Sequence, residues 1–460
     1  MLFSSQPFLL LFLPLSLIAY FCVAKSQAAR LTALTAASLG FYAWWDPRFV
    51  PLLVIMILFT WLIVRWHERA ARQWILSVGI VANLLVLGLF KYANFFAESV
   101  LHFVGVEHEP WSIILPLGVS FFTFQQVSYL IDRRRGEAPV YRLSEYAAYV
   151  SFFPQLIAGP IVRHNQLIGQ FAASPRRKGM AAQFSRGLVL LTLGLIKKVF
   201  LADELAPIAN DGFDLVAAGN AISLAESWLA ASAYSLQLYF DFSAYSDMAI
   251  GLGAMFGLRL PMNFDSPYRA LDIRSFWRRW HMTLSGFFRD YVYIPLGGNR
   301  HGHLMAAATV MVTMLLCGLW HGAGWTFVAW GGLHGAAIFA HRVWNSVPLR
   351  LPAPLAWLLT MTFVIVGWVL FRADNFTDAQ SILVAMFTLA ETGVPYPGWD
   401  DINYVLLGAV FALFGPTNIG LSEKPNLLKR RFAVATACGL FLVALRVGQG
   451  RGLEFIYFQF

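Results

Sequence analysis

The chain has 460 residues, of which 58% are hydrophobic and only 13% are charged, and its mean hydropathy is +0.60. A soluble domain carries about 25% charged residues, so this composition excludes a soluble multidomain protein and indicates a multi-pass membrane protein. The net charge of +9 comes from basic residues in short loops between apolar runs, a pattern that sets membrane orientation or contacts lipid headgroups and does not indicate nucleic-acid binding.

Apolar runs long enough to cross a bilayer recur throughout the chain and predict an all-α polytopic fold with about 11–13 transmembrane helices. We predict that residues 1–460 form one integral-membrane domain, with its catalytic core at residues 112–335. The runs lie near residues 8–24, 31–46, 49–64, 74–90, 112–131, 187–201, 223–240, 304–320, 325–340, 354–371, 403–414 and 433–447.

The loops between these runs differ in charge, which predicts the orientation of the chain. Alternating the spans places every basic loop on the cytoplasmic side and every acidic loop on the other. Two Gly- or Pro-rich stretches, 146–161 and 247–258, break this alternation and are predicted to be re-entrant or buried half-helices. The basic loops are 65–73, 132–142, 163–186, 259–300 and 424–431.

The longest basic loop, 259–300, is predicted to contain an interfacial amphipathic helix from Asp272 onward. One face carries Arg274, Arg278, His281 and Ser285. The other face is apolar and consists of Ile273, Phe276, Trp277, Trp280, Leu284, Phe287 and Tyr291. This 3–4-residue spacing is typical of a helix that lies on the membrane surface.

His321 is the strongest candidate for chemistry, in Trp320-His321-Gly322-Ala323-Gly324-Trp325 at the end of an uncharged run. An ionisable side chain at membrane depth is costly and by default indicates function. A neutral imidazole can take a proton from a hydroxyl group near physiological pH. The alternative is a structural histidine that hydrogen-bonds to a carbonyl at a helix end, but the neighbouring glycines favour function.

Further polar residues are candidates for substrate or donor binding, and each has a structural alternative. His281 either assists His321 or simply faces headgroups, with the two interpretations about even. Arg274, Arg278, Arg279 and Arg289 form a basic stripe that either grips donor phosphates or binds anionic lipid, and lipid binding is slightly favoured for each single arginine. Ser285, on the same face as His281, and Trp320, directly before His321, are further candidates.

The carboxylate of Asp241 either contacts substrate or, as we favour, forms a buried salt bridge. Lys197 and Lys198 interrupt an apolar run and must pair, snorkel or line a cavity. His301 and His303 supply two metal ligands without a third, so no metal site is predicted. Motifs of serine hydrolases, P-loop NTPases and zinc proteases are absent.

The chain resembles the membrane-bound O-acyltransferase (MBOAT) family, and especially the bacterial branch that contains alginate O-acetylation membrane subunits. The resemblance covers nearly the whole chain. It is carried by ordered motifs at 90–96, 115–121, 153–161, 239–247, 276–285, 289–299 and 318–322.

The resemblance implies a ring of tilted helices around a central two-sided funnel in a bacterial inner membrane. It also implies that His321 is the catalytic histidine and that His281 is a second histidine of this branch. The expected reaction is acetyl transfer from a cytoplasmic thioester, such as acetyl-CoA, toward a polysaccharide hydroxyl, through a separate periplasmic acetyltransferase partner. No bound cofactor is expected.

Two alternatives remain open at this stage. One is D-alanyl transfer to teichoic acid from a carrier protein, which the resemblance also allows. The other is transport, because many spans with intramembrane charges also suit a permeation path.

Overall fold

A computed structural model of the chain describes residues 1–106, 109–300, 302–348, 350–389, 398–423, 430–448 and 455–456. These residues form helices joined by turns and irregular segments, and no β-strand occurs among them. The all-α polytopic fold predicted from the apolar runs is therefore confirmed. His301 and residues 424–429 of the predicted basic loop lie outside the described residues.

The chain divides into two compact units. The first comprises Met1–Leu195, Tyr245–Met262 and Ser422–Arg451. Its helices are Leu13–Cys22, Gln27–Ala43, Val50–Ala70, Gln73–Leu87, Ala93–Phe103, Val119–Arg135, Leu143–Ser151, Phe153–Leu156, His164–Leu167 and Arg430–Gly448, with shorter turns of helix at Phe8–Phe12, Pro47–Phe49, Gly88–Tyr92 and Ile168–Ala172. Aromatic rings form much of its core: Phe3 packs against Phe8 and Phe41 at centroid distances of 4.9 and 5.5 Å.

The second unit comprises Ile196–Ala244, Asn263–Leu421 and Gly452–Phe460 and contains both candidate histidines. Its helices are Asp203–Ala217, Ile273–Trp277, Met282–Phe288, Gly302–His321, Trp325–Trp344, Ala353–Arg372, Phe376–Ala385 and Trp399–Phe414, with Asn418–Ser422 at its edge and shorter turns at Lys198–Ala202, Pro267–Arg269 and Arg289–Tyr293. The helices Met180–Lys197 and Leu224–Met255 belong in part to each unit.

Every predicted apolar run contains a helix, but the runs differ in how well they suit a bilayer. Within the described residues, four helical stretches are long and apolar enough to cross one: Pro47–Ala70, Gln73–Phe103, Gly302–His321 and Ala353–Arg372. The other helices are shorter or more polar, so their crossing of the membrane stays a prediction.

Of the two stretches predicted to be half-helices, one differs from the prediction and one agrees with it. The stretch 247–258 is not a separate half-helix, because residues up to Met255 continue the 32-residue helix Leu224–Met255. Its glycines do not break that helix, and a Cβ at Gly251 would lie 2.6 Å from the carbonyl oxygen of Gly187. These glycines therefore serve close helix packing. The stretch 146–161 does hold short helices, Leu143–Ser151 and Phe153–Leu156.

The helix that ends at His321 packs unusually closely on Trp325–Trp344. A Cβ added at Gly331 would lie 2.2 Å from the carbonyl oxygen of Met314, and one at Gly318 would lie 2.2 Å from that of Phe327. Backbone therefore touches backbone at both points, as in small-residue interfaces of membrane helices. This contact fixes the height and rotation of His321.

We expect Gly331→Ala to lower the stability of the purified protein, because the new methyl group meets backbone that cannot move aside. Gly332→Ala is the matched control, since a Cβ there meets only the Leu315 side chain at 3.4 Å. Thermal unfolding in detergent measures the effect. Equal behaviour of the two variants would contradict the role of this contact.

Candidate active site

His321 is the last residue of the helix Gly302–His321, and its side chain is buried. Three aromatic rings surround the imidazole, with centroids at 4.9 Å for Trp320, 5.3 Å for Trp330 and 5.2 Å for Phe371. The predicted helix end is confirmed, but the histidine lies in an aromatic interior and not at an exposed end.

Gly322, directly after His321, leaves room for an aromatic ring. A Cβ at this position would lie 2.2 Å from the ring of Phe327. Any larger residue would push that ring away, and Phe327 in turn packs on Phe371 at 4.9 Å. The glycine that follows His321 is thus required by the packing of the rings around the histidine.

His281 connects the helices Ile273–Trp277 and Met282–Phe288 and is completely buried. Its backbone is left-handed, with φ +43° and ψ +54°. A residue other than glycine costs about 1–3 kcal/mol in such a conformation, which persists only where the surroundings enforce it. This bend turns the imidazole inward.

The prediction of one continuous amphipathic helix from Asp272 is therefore wrong, although the pattern was informative. Its arginines Arg274 and Arg278 are exposed. All seven residues of its predicted apolar face are buried, but they pack against other side chains of the protein and do not lie on the membrane surface. For example, the rings of Phe276 and Trp280 stack with centroids 5.6 Å apart. The chain folds inward because this aromatic surface is buried against other rings of the unit, and the bend at His281 allows it.

The two imidazoles lie close together, with ring centroids 6.4 Å apart. Trp320 contacts both, at 5.8 Å from the His281 ring and 4.9 Å from the His321 ring. Phe242 packs edge-on against His281 at 4.7 Å. The two imidazoles therefore share one aromatic enclosure.

Asn263 holds His281 from a separate segment. Its Oδ1 atom lies 3.1 Å from Nδ1 of His281, and it also accepts hydrogen bonds from the hydroxyl (2.9 Å) and the backbone N–H (3.3 Å) of Thr283. The carbonyl oxygen of Asn263 accepts from the backbone N–H of Met282 at 2.9 Å. Nε2 of His281 is buried and has no hydrogen-bond partner among the described residues.

A cavity of about 480 Å³ lies in the same unit, and its lining includes neither His281 nor His321. Cys317, one helical turn before His321, and Ser285, one turn after His281, lie in its wall. The cavity is also lined by cationic or ionisable side chains: Arg274, Arg289, His341 and Arg342. A hydrogen bond with Asp290 raises the pKa of Arg289, so this guanidinium stays charged.

The structure separates the four arginines predicted to bind a donor. Arg274 and Arg289 line the cavity, whereas Arg278 is exposed outside its lining. Arg279 lies 3.6 Å from Oδ2 of Asp265 and donates to the Asp265 carbonyl oxygen at 3.2 Å, so it anchors the loop before the first helix of this segment. Two of the four predicted arginines are therefore brought to this cavity.

Asp241 lies in a buried ion cluster of its own. Nζ of Lys198 lies 2.7 Å from a carboxylate oxygen of Asp241 and 2.7 Å from one of Asp203. The backbone N–H of Ile456 donates to the second oxygen of Asp241 at 2.6 Å. This arrangement agrees with the favoured prediction of a structural salt bridge, and the partner is Lys198.

Sequence reasoning missed several residues of the site. Asn263 and Phe371 follow no recognisable motif, and they reach the histidines only through tertiary folding. Arg342 is a cation at the end of an apolar helix. This charge next to apolar residues is the one feature of the sequence that could have identified it. Its guanidinium donates to Oδ1 of Asn299 at 2.7 Å, which holds it in the cavity wall.

Among the described residues, no group of three or more His, Cys, Asp or Glu side chains is arranged to hold a metal ion.

Residues 72–362 match the model of the MBOAT, membrane-bound O-acyltransferase, family. The match covers more than half of the chain and includes Asn263, His281 and His321. The chain belongs to the membrane-bound O-acyltransferase family. It is thus an enzyme, a multi-pass membrane O-acyltransferase.

Curated relatives of this acyltransferase include two proteins of similar length. A "Peptidoglycan O-acetyltransferase" of Helicobacter pylori is 40% identical over 85% of this chain and 80% of the relative. A "Probable alginate O-acetylase AlgI" of Azotobacter vinelandii is 44% identical over 85% of this chain and 79% of the relative. A "Teichoic acid D-alanyltransferase" of Streptococcus thermophilus is 26% identical over 64% of this chain and 71% of the relative.

We expect Lys198→Met to destabilise the acyltransferase by about 3–5 kcal/mol, because it leaves two buried carboxylates without their cation. The midpoint of thermal unfolding in detergent should fall accordingly. Lys197→Met is the control, since that neighbouring lysine donates to the hydroxyl of Ser243 at 3.1 Å. A loss no larger for Lys198→Met than for Lys197→Met would refute the structural role of the cluster.

Proposed function

We propose that this enzyme transfers an acetyl group from a cytoplasmic thioester to a hydroxyl group presented from the other side of the membrane. The observation that carries the proposal is the pair of buried imidazoles, 6.4 Å apart, with cavity-lining residues one helical turn from each. The two relatives named as O-acetyltransferases, both at least 40% identical, support acetyl as the transferred group.

In the proposed step, His321 acts as general base. Its imidazole takes the proton of the acceptor hydroxyl while the hydroxyl oxygen forms a bond to the thioester carbonyl carbon. The carbon–sulfur bond then breaks, and the proton returns from the imidazole to the leaving thiolate. Burial of the ring excludes water that would otherwise hydrolyse the thioester. His281 orients the hydroxyl group and shares its proton.

The donor site we propose is the cavity lined by Arg274 and Arg342. Guanidinium groups bind phosphate oxygens through forked hydrogen bonds, which suits the phosphates of acetyl-CoA. The inner wall at Ser285 and Cys317 is where the thioester end would lie. The phosphopantetheine arm of a carrier protein carries the same chemistry with a single phosphate, and it is the alternative donor.

The acceptor we propose is an extracellular or periplasmic polysaccharide such as alginate, reached through a separate extracytoplasmic acetyltransferase. This assignment follows from two relatives, a probable alginate O-acetylase and a peptidoglycan O-acetyltransferase. The corresponding location is a bacterial inner membrane, where membrane lipids surround the helices.

The weaker similarity to a teichoic acid D-alanyltransferase keeps D-alanyl transfer as the second candidate. Both reactions need the same general base, and they differ in the donor and in the ester formed. Membership in an acyltransferase family favours either transfer reaction over the transport alternative.

We expect His321→Ala and His321→Gln to abolish ester-linked acetate on the extracellular polysaccharide of cells that depend on this protein, because both variants remove the proposed general base. Loss of a general base typically lowers the rate of a reaction by about 10²–10⁴-fold. Acetate released by mild alkali is measured at membrane protein levels matched by blotting.

The matched control is His303→Ala, because His303 is an exposed histidine at the start of the same helix. Acetate should remain at the wild-type level in this variant. Retention of acetate in both His321 variants would rule out the proposed base. Ester-linked D-alanine in place of acetate would transfer the assignment to the second candidate.

We expect Arg274→Ala to raise the KM for acetyl-CoA by about tenfold or more, since hydrogen bonds to charged groups contribute about 1.5–3 kcal/mol. Arg278→Ala, one helical turn away but outside the cavity, should leave KM unchanged. Thioester consumption by the purified enzyme in detergent is the measurement. An equal change in both variants would argue for general surface charge and against this donor site.

A further inference from the structure

We infer that Asn263 is a positioning residue that holds His281 in the tautomer protonated at Nδ1, so that Nε2 is a hydrogen-bond acceptor at the reaction centre. The inference deepens the proposed function, and its catalytic part rests on that function. The tautomer itself follows from hydrogen-bond geometry alone.

The orientation of the Asn263 amide is fixed by Thr283. A backbone N–H can only donate a hydrogen bond, and the N–H of Thr283 points to the side-chain amide of Asn263 at 3.3 Å. The amide atom on this side must therefore be the oxygen, because the NH₂ group has no lone pair to offer. The hydroxyl of Thr283, at 2.9 Å, adds a second donor to the same oxygen.

The orientation of the amide then fixes the proton on the histidine. Nδ1 of His281 lies 3.1 Å from this same oxygen, and two acceptors cannot form a hydrogen bond with each other. Nδ1 must carry the proton. In a neutral imidazole the other nitrogen, Nε2, then holds the lone pair. His281 can accept a hydroxyl proton through Nε2 but cannot donate to that hydroxyl in this state.

Another buried histidine of the same unit shows the opposite arrangement. The indole N–H of Trp277 donates to Nδ1 of His334 at 3.2 Å, so the neutral ring of His334 carries its proton on Nε2. The chain thus gives two buried histidines different tautomers through the partner it places at Nδ1. His334 therefore provides an internal reference for any measurement on His281.

The same residue also stabilises the strained backbone of His281. The carbonyl oxygen of Asn263 accepts from the N–H of Met282 at 2.9 Å, directly after the left-handed residue. Asn263 itself is completely buried. Its backbone fixes where the imidazole lies, and its side chain fixes which nitrogen is protonated.

The test uses the full-length enzyme in detergent micelles with ¹⁵N-labelled histidine. The His281 signals are assigned by their loss in His281→Asn, a variant that tolerates the left-handed backbone because asparagine is enriched there. We expect Nδ1 of His281 in the wild type to be coupled to a bonded proton and Nε2 not to be. His334 should show the reverse.

Three variants separate positioning from general loosening. Asn263→Leu should abolish the Nδ1-protonated signature and lower kcat for acetyl transfer by about 10–100-fold, as loss of a supporting hydrogen bond does at other sites, with KM for acetyl-CoA unchanged. Asn263→Asp keeps an acceptor oxygen and should keep the proton on Nδ1. Thr283→Val removes a partner of Asn263 but not the bond to His281, so it should keep both the signature and kcat.

The outcomes distinguish this inference from the proposed function. A wild-type His281 that carries its proton on Nε2, or on both nitrogens, overturns the inference even in an active enzyme. The same holds if Asn263→Leu leaves the signature and kcat intact, or if Thr283→Val impairs them as much as Asn263→Leu. An Nδ1-protonated His281 in an enzyme that consumes no acetyl thioester would uphold the tautomer and refute the proposed function.

Discussion

The site depends on one contact between two neighbouring helices. Gly318 and Gly331 allow the backbone of Gly302–His321 to touch that of Trp325–Trp344. In a membrane protein, apolar side chains gain little by leaving lipid for protein, so association relies on such close packing and on hydrogen bonds. The contact brings Trp330 to the ring of His321 at 5.3 Å. Without it, the histidine would end a free helix and would not face a second imidazole.

Buried polar groups in this unit follow two different arrangements. In the cluster of Lys198, Asp203 and Asp241, one cation lies between two carboxylates, and the backbone N–H of Ile456 donates to Asp241. The histidine pair is instead surrounded by aromatic rings. Nε2 of His281 has no hydrogen-bond partner among the described residues, so it can bind a ligand. A buried polar atom of this kind is costly, so the first arrangement stabilises the fold whereas the second is suited to chemistry.

Much of the fold was predictable because it follows from local pattern. Length and hydropathy located the helices, and the uncharged run before His321 ends where its helix ends. Periodicity also identified the buried face of the segment after Asp272, but it could not locate the bend at His281. A 3–4-residue spacing fits one long helix and two short ones equally well, and the choice depends on rings contributed from elsewhere in the chain.

The site itself was predictable only where a residue type is unusual in its surroundings. A histidine or a lysine in an apolar run is conspicuous, whereas Asn263 lies in a polar loop where an amide attracts no attention. Its importance arises from a long-range contact across 18 residues of chain to His281. The same is true of Arg342 and Asn299, whose hydrogen bond joins two segments 43 residues apart. Such pairings are set by tertiary folding.

The left-handed backbone of His281 gives the strongest physical reason to regard this position as functional. Glycine adopts such a conformation without strain, and a smaller residue would also avoid burying an imidazole among Phe242, Phe264 and Trp320. The chain instead carries a strained, buried, polar ring and uses Asn263 to hold both its backbone and its proton. Strain and burial both oppose folding, so the gain must lie in what the imidazole does. That gain is a fixed hydrogen-bond acceptor near His321, available before the substrate arrives.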